Sequence, residues 1–403
     1  MSYSYRGSRG SSVASRHARG RSGMRRSQAP RKQRRGQYID PSRFVRAAVT
    51  AEAETYVPQH KFTDFALAPL LHQNLVTKGY RIPSPIQDQA IPLGLQGHDV
   101  IGIASTGTGK TAAFALPVLQ RLITNKNAAV IIIAPTRELA QQIEEECKSL
   151  ARGSGLFGVL LIGGSSMGKQ LRDLKRRPRV VIGTPGRIKD HLKQGTLSLH
   201  AFNTVVLDEV DRMLDMGFIN DVTEILSHVA ENRQSLFFSA TIDPRVRKLI
   251  DVFTTDPVTV SLKASSTSEN VHQDVIRYQA TSEKIDRLHD VLLRKDLSKA
   301  IVFEETQRRV ERLNKELAAR GFKTDAIHGG KTQGQRQRAL DKFKKDEIKI
   351  LVATDVAARG IDVSNISHVI NYSVPQTYDD YIHRIGRAGR AGQIGHALTF
   401  VSD

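Results

Sequence analysis

From Phe62 to the end of the chain, short apolar runs alternate with segments of helical pattern, and this alternation constrains the fold more than any other feature. The runs are almost continuously apolar, as in V-I-I-I-A at 130–134 and A-I-V-F at 300–303. Strands of this kind, each followed by a helix, are typical of a parallel sheet that is covered on both faces. The sequence therefore predicts an α/β protein.

The alternation occurs in two series, separated by the polar stretch K-A-S-S-T-S-E-N at 263–270. A polar stretch without apolar periodicity has the character of a linker. A chain of 403 residues is also longer than one ordinary domain needs. We therefore predict two α/β domains, at 56–262 and 271–403, with residues 263–270 between them.

The first 55 residues differ in composition from the rest and consist largely of Arg, Gly and Ser. So few apolar side chains cannot form a core, and the composition predicts a disordered basic tail. In residues 1–60, 13 Arg or Lys face only 3 Asp or Glu. Together with a net charge of +19, this favours a polyanionic partner, most simply nucleic acid. An inert solubilising tail and an organelle-targeting segment are the alternatives.

Two absences narrow the class of protein. No apolar run approaches the roughly 20 residues that a membrane-spanning helix needs. The single cysteine, Cys147, lies in a helical pattern and excludes an internal disulfide or a cysteine-built metal site. We therefore predict a cytoplasmic protein without a membrane anchor.

The segment A-S-T-G-T-G-K-T at 104–111 links an apolar strand to a helix and predicts a phosphate-binding loop. Glycines let backbone N–H groups surround phosphate oxygens, and the helix N-terminus adds the positive end of its dipole. Lys110 would reach the β- and γ-phosphates, and the Thr111 hydroxyl would ligate Mg²⁺. Because Ala104 replaces the usual first glycine, a chance glycine turn is the alternative.

Two further patterns have a functional and a structural interpretation. Asp208 and Glu209 follow an apolar strand, where an acid can hold Mg²⁺ or orient water, although such a pair is often only a helix N-cap. Arg384, Arg387 and Arg390 lie three residues apart between glycines. They would act as arginine fingers on a γ-phosphate, or form a solvated basic patch.

Taken in order, these motifs resemble those of the DEAD-box ATP-dependent RNA helicases of helicase superfamily 2, most nearly the bacterial RhlE-type group. The resemblance runs from Phe62 to the C-terminus. It includes G-Y-R-I-P-S-P-I-Q at 79–87, D-E-V-D at 208–211 and S-A-T at 239–241. It implies two RecA-like domains in tandem. Ala104 is the usual residue of that family, whereas Val210 and Ala388 depart from its common pattern.

The resemblance also implies an ATP site that is shared by both domains. Lys110, Asp208, Glu209, Arg387 and Arg390 would be catalytic, and Thr111 and Asp208 would hold Mg²⁺, partly through water. The nucleotide would bind to Phe62, Tyr80, Gln87, Ser105, Thr106, Gly107, Thr108, Gly109, Lys110, Thr111 and Asp362. Among these, Gln87 would read the adenine base and Phe62 would stack on it.

RNA contacts and interdomain coupling are assigned by the same resemblance. The coupling residues would be Asp211, Ser239, Thr241 and His383. RNA would be held by its backbone and shape, with little sequence specificity, at Pro135, Thr136, Arg137, Gly163, Gly164, Thr184, Pro185, Gly186, Arg187, Gln335, Arg338 and Thr354.

The activity implied is RNA-stimulated ATP hydrolysis, coupled to domain closure and local unwinding of short RNA duplexes or remodelling of RNA–protein complexes. A DNA-directed translocase of the same superfamily and a non-hydrolysing RNA clamp are the alternatives. No run of aromatic residues resembles a base-stacking ladder.

Overall fold

The computed structural model of the chain describes residues 1–2, 39–48, 56–105, 107–262, 270–358, 363, 365–389 and 393–403. The predictions for most of the basic tail and for linker residues 263–269 lie outside this part of the chain. So do those for Thr106, Asp362 and Arg390.

The first half of the chain forms a seven-stranded sheet in which every pair of neighbours is parallel. The order across the sheet is β3-β4-β2-β5-β6-β1-β7. The strands are β1 Val100–Ile103, β2 Val130–Ile133, β3 Gly158–Leu161, β4 Val180–Gly183, β5 Thr204–Asp208, β6 Gln234–Ser239 and β7 Val258–Ser261.

The second half forms a six-stranded parallel sheet in the order β10-β11-β9-β12-β13-β8. Apart from the added edge strand β7, the two orders correspond position by position, with β8 at the place of β1. The strands are β8 Val271–Tyr278, β9 Ala300–Phe303, β10 Thr324–Ile327, β11 Ile350–Ala353, β12 His368–Asn371 and β13 Gly395–Ser402.

Helices connect consecutive strands, as right-handed parallel crossovers require. In the first half these are α1 Pro69–Thr77, α2 Pro85–Gln96, α3 Lys110–Thr124, α4 Arg137–Leu150, α5 Met167–Lys175, α6 Pro185–Lys193, α7 Val210–Asp215, α8 Ile219–Ser227 and α9 Pro244–Phe253. In the second half they are α10 Thr281–Leu292, α11 Gln307–Ala319, α12 Gln333–Lys344, α13 Asp355–Ala358 and α14 Tyr378–Ile385.

The strands are buried because helices cover both faces of each sheet. In β2 and β9 every residue is buried, as the continuous apolar runs predict. In the first sheet, alternate residues of β2 belong to two separate apolar clusters, one on each face. The two parallel sheets predicted from the alternation are confirmed. Their carboxyl-terminal edges carry the loops that hold the predicted motifs.

Residues 39–48 depart from the prediction of a tail that is disordered through residue 55. A 3-10 helix at Pro41–Phe44 packs on the second half, where the Phe44 ring lies 4.7 Å from that of Tyr381. Arg46 pairs with Gln273 in an antiparallel bridge. Composition missed this segment because two buried apolar residues, Ile39 and Phe44, are enough to anchor it against an existing core.

Two smaller predictions can also be compared with the structure. No helix in the described part of the chain is long and apolar enough to cross a membrane. Cys147 is buried on α4, and burial raises the pKa of its thiol to about 12. It is therefore an unreactive packing residue, as its helical pattern predicts.

Candidate functional site

The loop between β1 and α3 has the backbone of a phosphate cradle. Gly107 and Gly109 have φ values of 84° and 90°, which glycine adopts without strain. Gly109 caps α3, a helix of 15 residues, so its first N–H groups point toward the loop. Lys110 is buried, and its Nζ donates to the Ala104 carbonyl at 2.8 Å. The loop is thus closed upon its own lysine, and Thr108 adds a hydrogen bond to the Ser105 carbonyl at 2.8 Å.

Gln87 joins this loop to the helix before it. Its Oε1 accepts the Ser84 N–H at 2.9 Å, and its Nε2 donates to the Gly109 carbonyl at 3.0 Å. An amide carries two donor hydrogens and two acceptor lone pairs, so one of each remains for a ligand. A Cβ at position 109 would lie 2.4 Å from Gln87 Nε2, which gives Gly109 a second reason to be glycine.

Asp208 and Glu209 are both buried at the carboxyl end of β5, yet their pKa values shift in opposite directions. Burial raises the pKa of Asp208 to about 6, although nearby Lys110 favours its charge. Burial also opposes ionisation of Glu209, but Arg212, Lys110 and Arg387 together hold its pKa below the ordinary value. Arg212 Nε lies 3.4 Å from Glu209 Oε2. The backbone at Glu209 is left-handed, with φ 55°, which turns its side chain away from the strand direction.

Asp211 and the turn after β6 form one hydrogen-bonded unit. Asp211 Oδ2 accepts the N–H and the hydroxyl of Thr241 at 3.0 and 3.1 Å. Ser239 Oγ accepts the Asp211 N–H at 3.2 Å and donates to the Thr241 carbonyl at 2.7 Å. The Ser239 carbonyl in turn accepts the Ala104 N–H at 3.0 Å, so the unit continues into the glycine loop. The structure thus brings Asp211, Ser239 and Thr241 together, and their coupling role stays a prediction.

The glycine loop opens into a cleft of about 470 Å³ that both halves of the chain line. Lys110, Thr111, Asp208 and Glu209 come from the first half, and Lys344 and Arg387 come from the second. Arg387 therefore lies across the cleft from the glycine loop, as the arginine-finger prediction requires, and His383 lines an adjoining pocket beside it.

Arg384 departs from the finger interpretation of the arginine series. It is buried, and its Nε and Nη2 bind the two carboxylate oxygens of Asp355 at 2.5 and 2.7 Å. Its Nη1 donates to the Ser373 carbonyl at 2.7 Å and to Asn371 Oδ1 at 3.2 Å. These hydrogen bonds all go to residues of the second half. A buried guanidinium has lost its contacts with water, so its N–H groups need partners within the protein. Arg384 is a structural residue.

Phe62 and Tyr80, predicted to contact the nucleotide base, lie together near this cleft. Their rings meet edge to face, with centroids 5.6 Å apart, and Phe62 also meets Phe65. Tyr80 lines the cleft, and its hydroxyl donates to Glu146 at 2.9 Å. Burial and this carboxylate raise the pKa of the Tyr80 phenol, which stays protonated as a donor.

The predicted RNA residues of the first half lie at successive strand ends. Arg137 begins α4 after β2, and its guanidinium lies so close to Gly163 and Gly164 that a Cβ at position 164 would be 2.5 Å from Nη1. Arg187 on α6 donates to Gln170 at 3.0 Å. Burial, together with Arg336 and Arg187, lowers the pKa of Arg137, so cationic groups are concentrated on this surface. The remaining members lie in the same loops: Pro135, Thr136, Thr184, Pro185 and Gly186.

The second half contributes two kinds of residue to the predicted RNA surface. Gln335 and Arg338 are exposed on α12, where Gln335 closes a capping box with Thr332. Thr354 is buried at the end of β11 and its N–H donates to the Ile327 carbonyl. The side chains on α12 are accessible to a ligand, whereas Thr354 is not.

A buried ion pair between the halves was missed by the sequence analysis. Arg336 on α12 binds Glu138 on α4, with Nε–Oε1 and Nη2–Oε2 distances of 2.7 and 2.6 Å. Both residues are buried. Arg336 precedes Ala339, Leu340 and Phe343 at helical spacing on the apolar face of α12, and a charge on such a face was the available signal.

Comparison with known proteins gives a consistent result. Residues 84–249 match the DEAD/DEAH box helicase family, and residues 283–392 match the helicase conserved C-terminal domain. Curated relatives are the ATP-dependent RNA helicase CshA of Limosilactobacillus reuteri, 45% identical over 344 residues, and the DEAD-box ATP-dependent RNA helicase CshA of Bacillus subtilis, 45% identical over 343 residues. Each alignment covers 85% of this chain and 69% of the relative. The resemblance to the RhlE-type group stays a prediction.

Solved structures show the same fold. Dbp5 of S. cerevisiae, bound to RNA and ADP BeF3, is 30% identical with a TM-score of 0.75, covering 85% of this chain and 89% of that chain. Mss116p bound to ssRNA and AMP-PNP is 32% identical with a TM-score of 0.76, covering 84% of this chain and 73% of that one.

Proposed function

Because this chain belongs to the DEAD-box family of ATP-dependent RNA helicases, we propose that it hydrolyses ATP in the cleft between its two sheets while it holds RNA across both halves. The observation that carries this proposal is the shared lining of the cleft by Lys110, Asp208 and Glu209 from one half and Arg387 from the other. A γ-phosphate bound at the glycine loop would contact Arg387 only when both halves line the cleft.

Three residues of the cleft divide the chemistry. Lys110 neutralises charge on the β- and γ-phosphates, and the N–H groups of the loop bind their oxygens. Glu209, ionised and buried, accepts a proton from the attacking water or orients it. Arg387 stabilises the charge that spreads over the transferred phosphoryl oxygens. Arg390 and Asp362 are assigned to the γ-phosphate and the ribose by family resemblance alone.

The donor set fits Mg²⁺. The Asp208 carboxylate and the Thr111 hydroxyl are hard oxygen ligands, and Mg²⁺ usually binds through one or two such groups together with substrate phosphates and water. Burial, together with the nearby Glu209 and Asp211 carboxylates, raises the Asp208 pKa to about 6, so a cation would relieve a charge that the protein leaves poorly compensated. When bound, Mg²⁺ would neutralise phosphate charge and orient the γ-phosphate for attack.

RNA lies on the loops at the carboxyl-terminal edges. Arg137 and Arg187 would contact phosphates, and the backbone of Gly163–Gly164 allows close approach of the strand. Contacts of this kind read backbone and shape rather than base sequence. Closure bends one strand away from A-form geometry, and short duplexes melt locally. The basic tail adds affinity for RNA through its phosphates, and the protein acts in the cytoplasm.

The test is steady-state ATP hydrolysis without nucleic acid, with single-stranded RNA and with DNA of the same sequence, with Lys110→Ala as the blank. We expect strong stimulation by RNA that the blank does not show. Equal stimulation by DNA would indicate a DNA-directed translocase. ATP and RNA binding without hydrolysis would indicate a passive clamp.

A further inference from the structure

Three histidines form a row across the second sheet, at the end opposite the nucleotide cleft. His368 on β12 is in register with His396 on β13, which is in register with His272 on β8. In-register residues of parallel strands project from the same face. The rings of His368 and His396 are stacked, with centroids 4.7 Å apart and planes at 17°, and His272 lies 5.8 Å beyond.

An acidic residue completes the group. Asp296, in the loop after α10, places its Oδ2 3.7 Å from His368 Nε2. One potential ligand atom from each of Asp296, His368 and His396 lies within 4.8 Å of the others. In the described part of the chain, no other three histidine, cysteine or acidic side chains meet so closely.

The nitrogen at the centre of this group is buried and has no hydrogen-bond partner. His368 is completely buried, and its Nε2 is unsatisfied within the protein. Its other nitrogen, Nδ1, lies 3.0 Å from Ser367 Oγ, and that hydroxyl donates to the Lys299 carbonyl at 3.0 Å. Ser367 Oγ also accepts the N–H groups of Ser298 and Lys299, at 3.0 and 3.2 Å, so this hydroxyl is fully engaged within the protein and holds the His368 ring in place. A buried nitrogen without a partner carries a desolvation cost that a bound ligand would remove.

We infer that Asp296, His368 and His396 form a binding site for a transition-metal cation, with Zn²⁺ as the best match. Two imidazole nitrogens and one carboxylate are a common zinc ligand set, with water or His272 as the fourth ligand. Ser367 acts as the outer partner that fixes the ring orientation of a ligating histidine.

Binding would fasten the loop after α10 to β12 and β13. Because the row lies at the amino-terminal ends of these strands, no residue of the nucleotide cleft takes part. The site is thus independent of the proposed helicase activity, and its loss should leave RNA-stimulated ATP hydrolysis unchanged.

The test uses the full-length protein after treatment with a chelator. Zn²⁺ is titrated in competition with a chromophoric chelator, and Co²⁺ substitution is followed by its visible absorption. We expect one tight equivalent with the intense d–d bands of a four-coordinate site. His396→Gln and Asp296→Asn should each weaken binding by at least about tenfold, which even outer-shell changes reach.

Two variants serve as controls, one for misfolding and one for metal binding at an unrelated histidine pair. Asp296 has a side chain that is 53% exposed, so Asp296→Asn should fold like the parent even if changes at the buried His368 do not. His200 and His228 form another histidine pair, 6.4 Å apart in the first half, and the double variant His200→Gln/His228→Gln should bind like the parent. Six-coordinate Co²⁺ spectra, or equal losses in this control pair, would overturn the site.

Discussion

The strand β1 and its counterpart β8 hold the same position in their sheets, but the chain leaves them in different ways. After β1, two left-handed glycines open a loop whose N–H groups face the cleft. After β8, Gln279 and Ala280 lead directly into α10, and the Gln279 N–H donates to the Glu283 carboxylate at 2.7 Å. A carboxylate of the chain itself thus takes the place of an external anion at the start of this helix.

The comparison shows that the shared sheet order does not determine nucleotide binding; the residues that follow one strand do. The second half keeps the fold without the cradle, and the turn after its helix α14 brings Arg387 to the cleft of the first half.

Glu209→Gln should abolish most of the ATP hydrolysis, because it removes the general base that the first half supplies. Removing a positioned general base typically lowers the rate by about 10²–10⁴-fold, while ATP binding at the loop is retained. Single-turnover hydrolysis and nucleotide titration on the same sample measure both. Glu145→Gln is the matched control, since Glu145 lines the same cleft but is exposed. Parental turnover in Glu209→Gln would remove Glu209 from the mechanism.

Variants of Arg387 and Arg384 should separate an effect on catalysis from an effect on stability, although the two residues are only three positions apart. Arg387→Ala should lower kcat by about 10³-fold or more, the range for an arginine finger. Arg384→Ala leaves Asp355 without its partner and should cost about 3–5 kcal/mol of unfolding free energy, seen as a lower Tm. If both variants lost only stability, the second half would contribute no group to the chemistry.

The pair between Arg336 and Glu138 should govern how tightly the halves associate. Arg336→Met leaves a buried carboxylate unpaired, and we expect a cost of about 3–5 kcal/mol to the closed arrangement. Energy transfer between dyes on the two halves, with RNA and a non-hydrolysable ATP analogue, measures this population. The double variant Glu138→Met/Arg336→Met should recover much of the loss. Lys342→Met, exposed on the same helix, should not shift it.

Glu283→Gln tests the self-capped start of α10 and should have the smallest effect. Hydrogen bonds from the backbone of Gln279 and from Arg287 hold the pKa of Glu283 below its ordinary value of 4.5. A lowered pKa means that the charge stabilises the fold above that value and that this stabilisation disappears as the pH falls through the folded pKa. The difference in Tm between variant and parent should therefore be small at pH 7 and vanish in acid. A gain of ATP binding by the second half would contradict the comparison.

Much of this could be predicted from the sequence, because it is written in local patterns. Continuous apolar runs gave both sheets, and the spacing from Ala104 to Thr111 gave the loop. What escaped prediction depends on contacts between distant residues. Arg336 meets Glu138 across 198 positions, and no local pattern pairs them. Arg384 was grouped with Arg387 by spacing, although α14 turns them into different surroundings.

The histidine row escaped for the same reason. His272, His368 and His396 are isolated in the sequence, and only the register of three parallel strands aligns them. Register follows from the whole sheet, since each strand is positioned by its neighbours rather than by its own residues. Metal sites assembled in this way lack the close ligand spacing by which a sequence can be searched.

The hydrogen bond from Gln87 to the Gly109 carbonyl has a consequence for nucleotide discrimination. The Gln87 side chain, which is proposed to read the base, also stabilises the loop that would hold the phosphates. A base that does not fit the Gln87 amide would pull this side chain away from the Gly109 carbonyl. The phosphate loop would then loosen at a distance from the base itself. Selection for adenine would then affect the rate of hydrolysis as well as the affinity for the nucleotide. A guanine or pyrimidine nucleotide would bind and yet be hydrolysed slowly.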